Sequence, residues 1–189
     1  MENKMAFVPG SLAERAKNSG LSIAETFLDA TAIILFDTSG SMSAKDSRGG
    51  RSRFEVGSEE LAHLQSSLPG KIAIVSFSSD VQFCPSGIPI NFGGGTDMNK
   101  ALSFVKVVDI EGIRFVLISD GIPDSPNEVL SKAKTFKNKI DTVYTGPEDD
   151  IEGGRAFLEK LSKATGGLSV VSGQAKQLQA SIQTLLLGS

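Results

Sequence analysis

Ala32-Ile33-Ile34-Leu35-Phe36-Asp37-Thr38-Ser39-Gly40-Ser41-Met42 is the stretch on which the fold turns. Five apolar residues run without a break into a carboxylate and a polar turn. A short continuous apolar run reads as a strand buried on both faces, the mark of a parallel sheet covered by helices. Ile72-Ala73-Ile74-Val75-Ser76-Phe77 and Ile113-Arg114-Phe115-Val116-Leu117-Ile118 repeat the pattern. Val81–Cys84, Ile140–Tyr144 and Leu168–Val171 are weaker strands. Only Ser78-Ser79-Asp80 separates the second strand from Val81, too little for a crossover, so that pair is an antiparallel hairpin.

Helical segments lie between the other strands. Phe54, Gly57, Leu61, Leu64 and Leu68 share one helix face, which starts at a Ser52/Glu55 capping box and ends at Pro69-Gly70. Ser125-Pro126-Asn127-Glu128 predicts a second capping box with Pro at the first helical position. Phe104, Val105, Val107 and Val108 are core candidates on the helix before the fourth strand. Arg155 to Thr165 is helical up to Gly166-Gly167, and Leu178, Ile182, Leu185 and Leu186 stripe a C-terminal helix. Right-handed crossovers place such helices on both faces of a mostly parallel sheet, a doubly wound α/β fold. Ahead of it, Ser11/Glu14 and Ser22/Glu25 fit capping boxes of two short helices. Residues 1–29 thus read as an N-terminal helical extension, either packed on the domain edge or serving as a partner-binding arm, and 30–189 as the main domain.

Composition narrows the chemistry. The chain has 189 residues, 40% hydrophobic and 22% charged, which suits one globular domain. A net charge of -3 speaks against a generally basic nucleic-acid-binding surface. One Cys (Cys84) and one His (His63) exclude an intramolecular disulfide, a cysteine zinc cluster and any multi-histidine metal site. Cys84 reads as a structural thiol and His63 as an exposed helical residue. No apolar run approaches the roughly 18–20 residues of a membrane span, and residues 1–10 lack the apolar stretch of a signal peptide. The expected location is therefore cytoplasmic, with no membrane partner.

Oxygen chemistry remains. Asp37, Ser39 and Ser41 place a carboxylate and two hydroxyls in a tight turn at the carboxyl end of a buried strand, with Gly40 expected to let the turn close. Gly93-Gly94-Gly95-Thr96-Asp97 precedes a helix and can present the Thr96 hydroxyl to the same crevice. Ser119-Asp120-Gly121 adds a carboxylate at the end of the fourth strand. Ligands of open α/β sheets bind at this edge. Oxygen donors alone suit hard cations such as Mg²⁺, Mn²⁺ or Ca²⁺.

In order and in strand context, Asp37-Thr38-Ser39-Gly40-Ser41-Met42, Gly95-Thr96-Asp97 and Ser119-Asp120-Gly121 resemble the metal-ion-dependent adhesion site of von Willebrand factor A domains. The likeness covers about residues 30–189. It implies a six-stranded, mostly parallel sheet with one antiparallel edge strand and helices on both faces. It implies that Ser39 and Ser41 ligate a metal through their hydroxyls. Thr96, Asp37 and Asp120 would do so directly or through water. The implied cofactor is Mg²⁺, with Mn²⁺ or Ca²⁺ as alternatives, and movement of the last helix, about 176–187, is the family's switch. The implied function is non-enzymatic. Two carboxylates at most leave the cation's sphere open to a Glu or Asp from a partner protein. Without signal, span or disulfide, the chain is similar to the stand-alone intracellular members, which act as subunits of assemblies, some containing ATPases.

Two flanking loops add to this. Residues 44–53 carry Lys45, Arg48, Arg51 and Arg53 against Asp46, and 146–152 carry Glu148, Asp149, Asp150 and Glu152. Both leave carboxyl ends of strands and are expected to flank the site, either as ordinary solvated loops or as a dipolar rim that orients a partner. Enzymatic motifs are absent: no phosphate-binding loop, nucleophile elbow or dinucleotide fingerprint occurs. Two alternatives stand beside the interaction module. One is a Mg²⁺-dependent phosphatase with Asp37 as nucleophile and a second acidic edge at Asp120 and Asp124, although Ser39 occupies the place of its acid/base. The other is a scaffold domain with an empty site.

Overall fold

A computed structural model describes residues 6–46, 48–147, 149 and 151–171, with the side chain of Arg48 excepted. The C-terminal stripe of Leu178, Ile182, Leu185 and Leu186 lies outside them. In chain order the elements are α1 (Leu12–Ser19), α2 (Ile23–Leu28), β1 (Ala32–Asp37), α3 (Arg53–Ser67), β2 (Ile72–Phe77) and β3 (Val81–Phe83). There follow α4 (Met98–Val105), β4 (Arg114–Ser119), α5 (Pro126–Ala133), β5 (Ile140–Tyr144), α6 (Gly154–Thr165) and β6 (Ser169–Val171). Six strands form one sheet in the order β3-β2-β1-β4-β5-β6. Every pairing is parallel except β2 with β3 at the edge.

Alternation along each strand feeds two cores. From β1, Ile33 and Leu35 join Met98, Leu102, Val129 and Leu158 beneath α4, α5 and α6. Ile34 and Phe36 face the other way, onto Leu61 and Leu64 of α3. Both faces of β1 are dry, which is why its run carries no polar residue before Asp37. At the far end of the sheet, Asp141 is buried and satisfied by Arg114 Nε at 2.7 Å and the Leu168 amide at 2.8 Å.

Chain order reverses about β1, which sends one connection to β2 and has β4 on its other side. The carboxyl ends of β1 and β4 therefore form the switch point where such sheets bind ligands. The register fixes it further: Phe36 pairs with Ile118, so Asp37 lies beside Ser119.

Capping follows the sequence in part. Ser52 and Glu55 form the full reciprocal box on α3, and Ser22 and Glu25 do so on α2. Ser11 accepts from the Glu14 amide, but the Glu14 carboxylate takes the Gly10 amide instead of that of Ser11. The box expected at Ser125 does not form. Ser125 has a ψ of 76°, away from the extended backbone of the other caps, and Glu128 accepts instead from Asn99 on α4. Of the core candidates after Ala101, only Val105 is fully buried. Phe104 is 46% and Val107 84% exposed. Phe104 lies on the outer face of α4, and a 3-10 turn, Lys106–Val108, follows the helix and rotates Val107 off its stripe.

The N-terminal helices pack on the β3 edge. Leu12 enters the core, Phe27 meets Phe83 edge-on, and the Val8 and Ala13 amides donate to Ser86 and Pro85 carbonyls. Gly10 makes the closest approach: its φ is +82°, and an added Cβ would lie 2.0 Å from the Gln65 carbonyl oxygen. Gly10→Ala should therefore cost about 2 kcal/mol or more in urea denaturation. It should also speed proteolysis between residues 10 and 29.

Candidate functional site

The turn after β1 is plugged into the core by Met42, which is buried and accepts from the Thr145 hydroxyl through its sulfur. Residues Gly40–Ser43 form a 3-10 turn, and this curls the Ser39 and Ser41 hydroxyls to within 3.1 Å of each other. Gly40 has an ordinary negative φ, and an added Cβ would meet nothing closer than the Gly94 carbonyl at 3.5 Å. The turn thus closes through its hydrogen bonds and Met42, contrary to the expectation that Gly40 is needed. Its amide does serve, donating to Gly94 at 3.0 Å and tying on the glycine-rich loop.

A continuous chain of hydrogen bonds joins four of the five candidate residues. Asp37 Oδ1 accepts from the Ser39 amide at 2.8 Å and Asp37 Oδ2 from the Ser119 hydroxyl at 2.5 Å. Ser39 Oγ meets Ser41 Oγ, and Ser41 Oγ donates to Asp120 Oδ1 at 2.8 Å. Asp37 is fully buried, Asp120 is 7% exposed, and Ser41 opens to solvent. Thr96 is brought to the same edge by its backbone. Its amide donates to Asp124 Oδ1 at 3.2 Å and its carbonyl accepts from the Asp124 amide at 3.1 Å. Among the described residues its hydroxyl is not a member of the chain.

Burial pushes the Asp37 carboxyl up to about 6, while its bonds from Ser119 and Ser39 pull back the other way and the nearby Asp120 charge adds to the rise. Asp120 carries a cation of the protein's own. Arg53 Nη1 donates to Asp120 Oδ2 at 2.6 Å, its Nε donates to Asp46 Oδ1 at 2.8 Å, and its Nη2 bonds Asp46 Oδ2. That contact holds the Asp46 carboxyl below its ordinary range and Arg53 above its own.

Of the expected rim, Lys45 is exposed, Arg51 is paired with Glu59, and Arg53 points inward. Two of its four basic residues are thus met by carboxylates, Arg53 by Asp46 and Asp120 and Arg51 by Glu59 of α3. On the other flank Asp149 and Glu152 are exposed, while Glu148 and Asp150 lie outside the described residues.

The sequence reading missed the Ser119 hydroxyl as a donor to Asp37, the tie of Asp124 to the Thr96 backbone and the inward turn of Arg53. The signal for Ser119 was the parallel register, since a strand ending one residue after Ile118 must set it beside Asp37. For Arg53 it was the Ser52 cap, which makes Arg53 the first helical residue.

Neither family models nor curated proteins match this chain in sequence. Solved structures do match it in shape. An aerotolerance-related membrane protein from Bacteroides fragilis aligns at a TM-score of 0.66 and 18% identity, over 84% of this chain and 98% of that one. Manganese-loaded TRAP protein from Plasmodium vivax gives 0.56 and 14%, over 84% and 74%. A von Willebrand factor type A protein from Catenulispora acidiphila gives 0.51 and 15%, over 80% of this chain and 40% of that one. The fold is of the von Willebrand factor A type. Among the described residues no helix is long and apolar enough to cross a membrane.

On this A-type fold, no group of three or more His, Cys, Asp or Glu among the described residues can hold a metal, so a cation here depends on hydroxyls. The oxygen spacing suits a small one. Ligands about 2.0–2.1 Å from Mg²⁺ in an octahedron stand about 2.9 Å apart along its edges. The Ser39–Ser41 and Ser41–Asp120 separations, 3.1 and 2.8 Å, bracket that length. Protons thus hold the hydroxyls at the spacing a cation uses.

The raised Asp37 carboxyl has a testable sign. Its folded value of about 6 lies above its ordinary 3.8, so the stability it contributes is full below pH 3.8 and lost as pH rises through about 6. In chelator, urea denaturation should show Asp37→Asn gaining on the parent across that window, with no further change above it.

Proposed function

We propose that this chain is a divalent-metal-dependent protein-interaction module, in which Ser39, Ser41 and Asp120 hold Mg²⁺ or Mn²⁺, with Thr96 beside them and Asp37 acting from behind through the hydrogen bonds that position them. The supporting observation is the convergence of two hydroxyls and a carboxylate, at 2.8–3.1 Å, where β1 and β4 end side by side. A bound dication would offer an open position to a carboxylate oxygen from a partner's Glu or Asp. Asp37 orients the set: it fixes the turn through the Ser39 amide and the β4 end through Ser119. Both its oxygens are engaged and it is fully buried, which leaves no open face from which to attack a phosphoester. This favours binding over phosphatase chemistry. Manganese in the P. vivax protein of the same fold supports the choice of ion.

The partner we propose is a protein with an exposed acidic side chain, within an intracellular assembly that includes an ATPase among its candidates. Neither a membrane nor a nucleic acid is called for. Cys84, buried and free, suits the reducing cytoplasm.

Calorimetric titration with Mg²⁺ and Mn²⁺ is the direct test. The parent should bind one ion, and Ser39→Ala with Ser41→Ala should abolish the heat. Saturation at about 100 times Kd should add about 2.7 kcal/mol to parent stability. Absence of binding by the parent would sink the metal-dependent module and favour the empty scaffold.

A further inference from the structure

Arg53 stands where a partner-facing cation was expected, yet its side chain is only 11% exposed and lies on Asp120. Three bonds fix it. Asp46 takes Nε and Nη2, orienting the guanidinium plane, and Nη1 is left to reach Asp120 Oδ2. With Ser41 on Oδ1, both oxygens of Asp120 are engaged within the chain. An arginine does not lose its proton in a protein, so this is a permanent positive charge on one of the two site carboxylates. No other described cation shares the role. Arg51 is turned onto Glu59, and Lys100 pairs with Asp80 on the hairpin loop.

A dication and a guanidinium repel, and they need the same carboxylate. We propose that Arg53 is a tethered counter-ion that competes with the divalent cation for Asp120, so that cation entry and withdrawal of Arg53 from Asp120 are one exchange. This rests on the metal-dependent function proposed above. Asp46 is the other half of the device. It is exposed and bound to Arg53 through two contacts, so the arm can leave Asp120 with its own charge still compensated. Withdrawal raises the local charge of Asp37 and Asp120 from a net -1 to -2, matching the ion. The site is thereby stable without metal, at the cost of weaker metal binding.

Titration of the parent, Arg53→Gln and Arg53→Lys with Mn²⁺ at constant ionic strength tests this. A neighbouring opposite charge moves a carboxylate's proton affinity by about one to three units, and a dication feels the same field. Arg53→Gln should therefore bind Mn²⁺ about tenfold tighter or more. Arg53→Lys, which keeps the charge, should stay within about threefold of the parent. Equal or weaker binding by the Gln variant overturns the competition, as does a Lys variant as tight as the Gln one. If the parent binds and all three bind alike, only the competition falls. If neither parent nor Gln variant binds, metal dependence falls and the competition with it. Should Arg53→Gln fail to fold, the parent's side-chain NMR decides. The Arg53 Nη1–H resonance, bonded to Asp120 Oδ2, must shift in step with Mg²⁺ occupancy, and a resonance unmoved at saturation overturns the proposal.

Discussion

Parallel pairing of β1 with β4 is the constraint on which the rest depends. It makes the two strands neighbours though their starts, the paired Ala32 and Arg114, lie 82 positions apart in the chain. One residue of slip would move every side chain of β1 to the wrong core, so the register is held by Ile33 and Leu35 on one face and Ile34 and Phe36 on the other. The polar site inherits this precision. Asp37 and Ser119 meet at 2.5 Å because the apolar residues before them leave no other alignment.

Electrostatics at the edge follow from that placement. Asp37 is driven far enough into the sheet that burial disfavours its charge, while Asp120, one strand over, is met by Arg53. Two carboxylates close together in a dry setting raise each other's cost of ionisation. Here one is answered by hydroxyl and amide donors, and the other by a guanidinium. Around the site, Arg53 pairs with Asp46 and Arg51 with Glu59, so these two arginines meet carboxylates of their own region.

Much of this was legible in the sequence, for a physical reason. Strands buried on both faces must be apolar throughout, so Ile33 to Phe36 could not be mistaken for a surface segment, and the polar residues just beyond mark the exposed edge. Ser52 with Glu55 was equally plain, because reciprocal capping needs only local chemistry. What failed was what depends on distant partners. Glu128 abandoned Ser125 for Asn99, and Arg53 chose Asp120, 67 residues away. Val107 was lost to the core through a change of helical pitch that a period-3.6 pattern does not contain. The solved structures described above share the fold at 18% identity or below, so likeness in shape persists here where few individual residues coincide.

The antiparallel edge strand β3 has three residues, against five or six in β1, β2, β4 and β5. An open sheet ends in unpaired amides and carbonyls that can template another chain. A three-residue border offers very few of them, and on the β3 side the backbone of residues 8–13 fastens just beyond it, at Pro85 and Ser86. The chain thus limits growth by strand addition at the β3 flank. On the proposed function, recognition falls to the end of the sheet, where selectivity would come from placed oxygens and charges and not from the generic adhesiveness of a backbone.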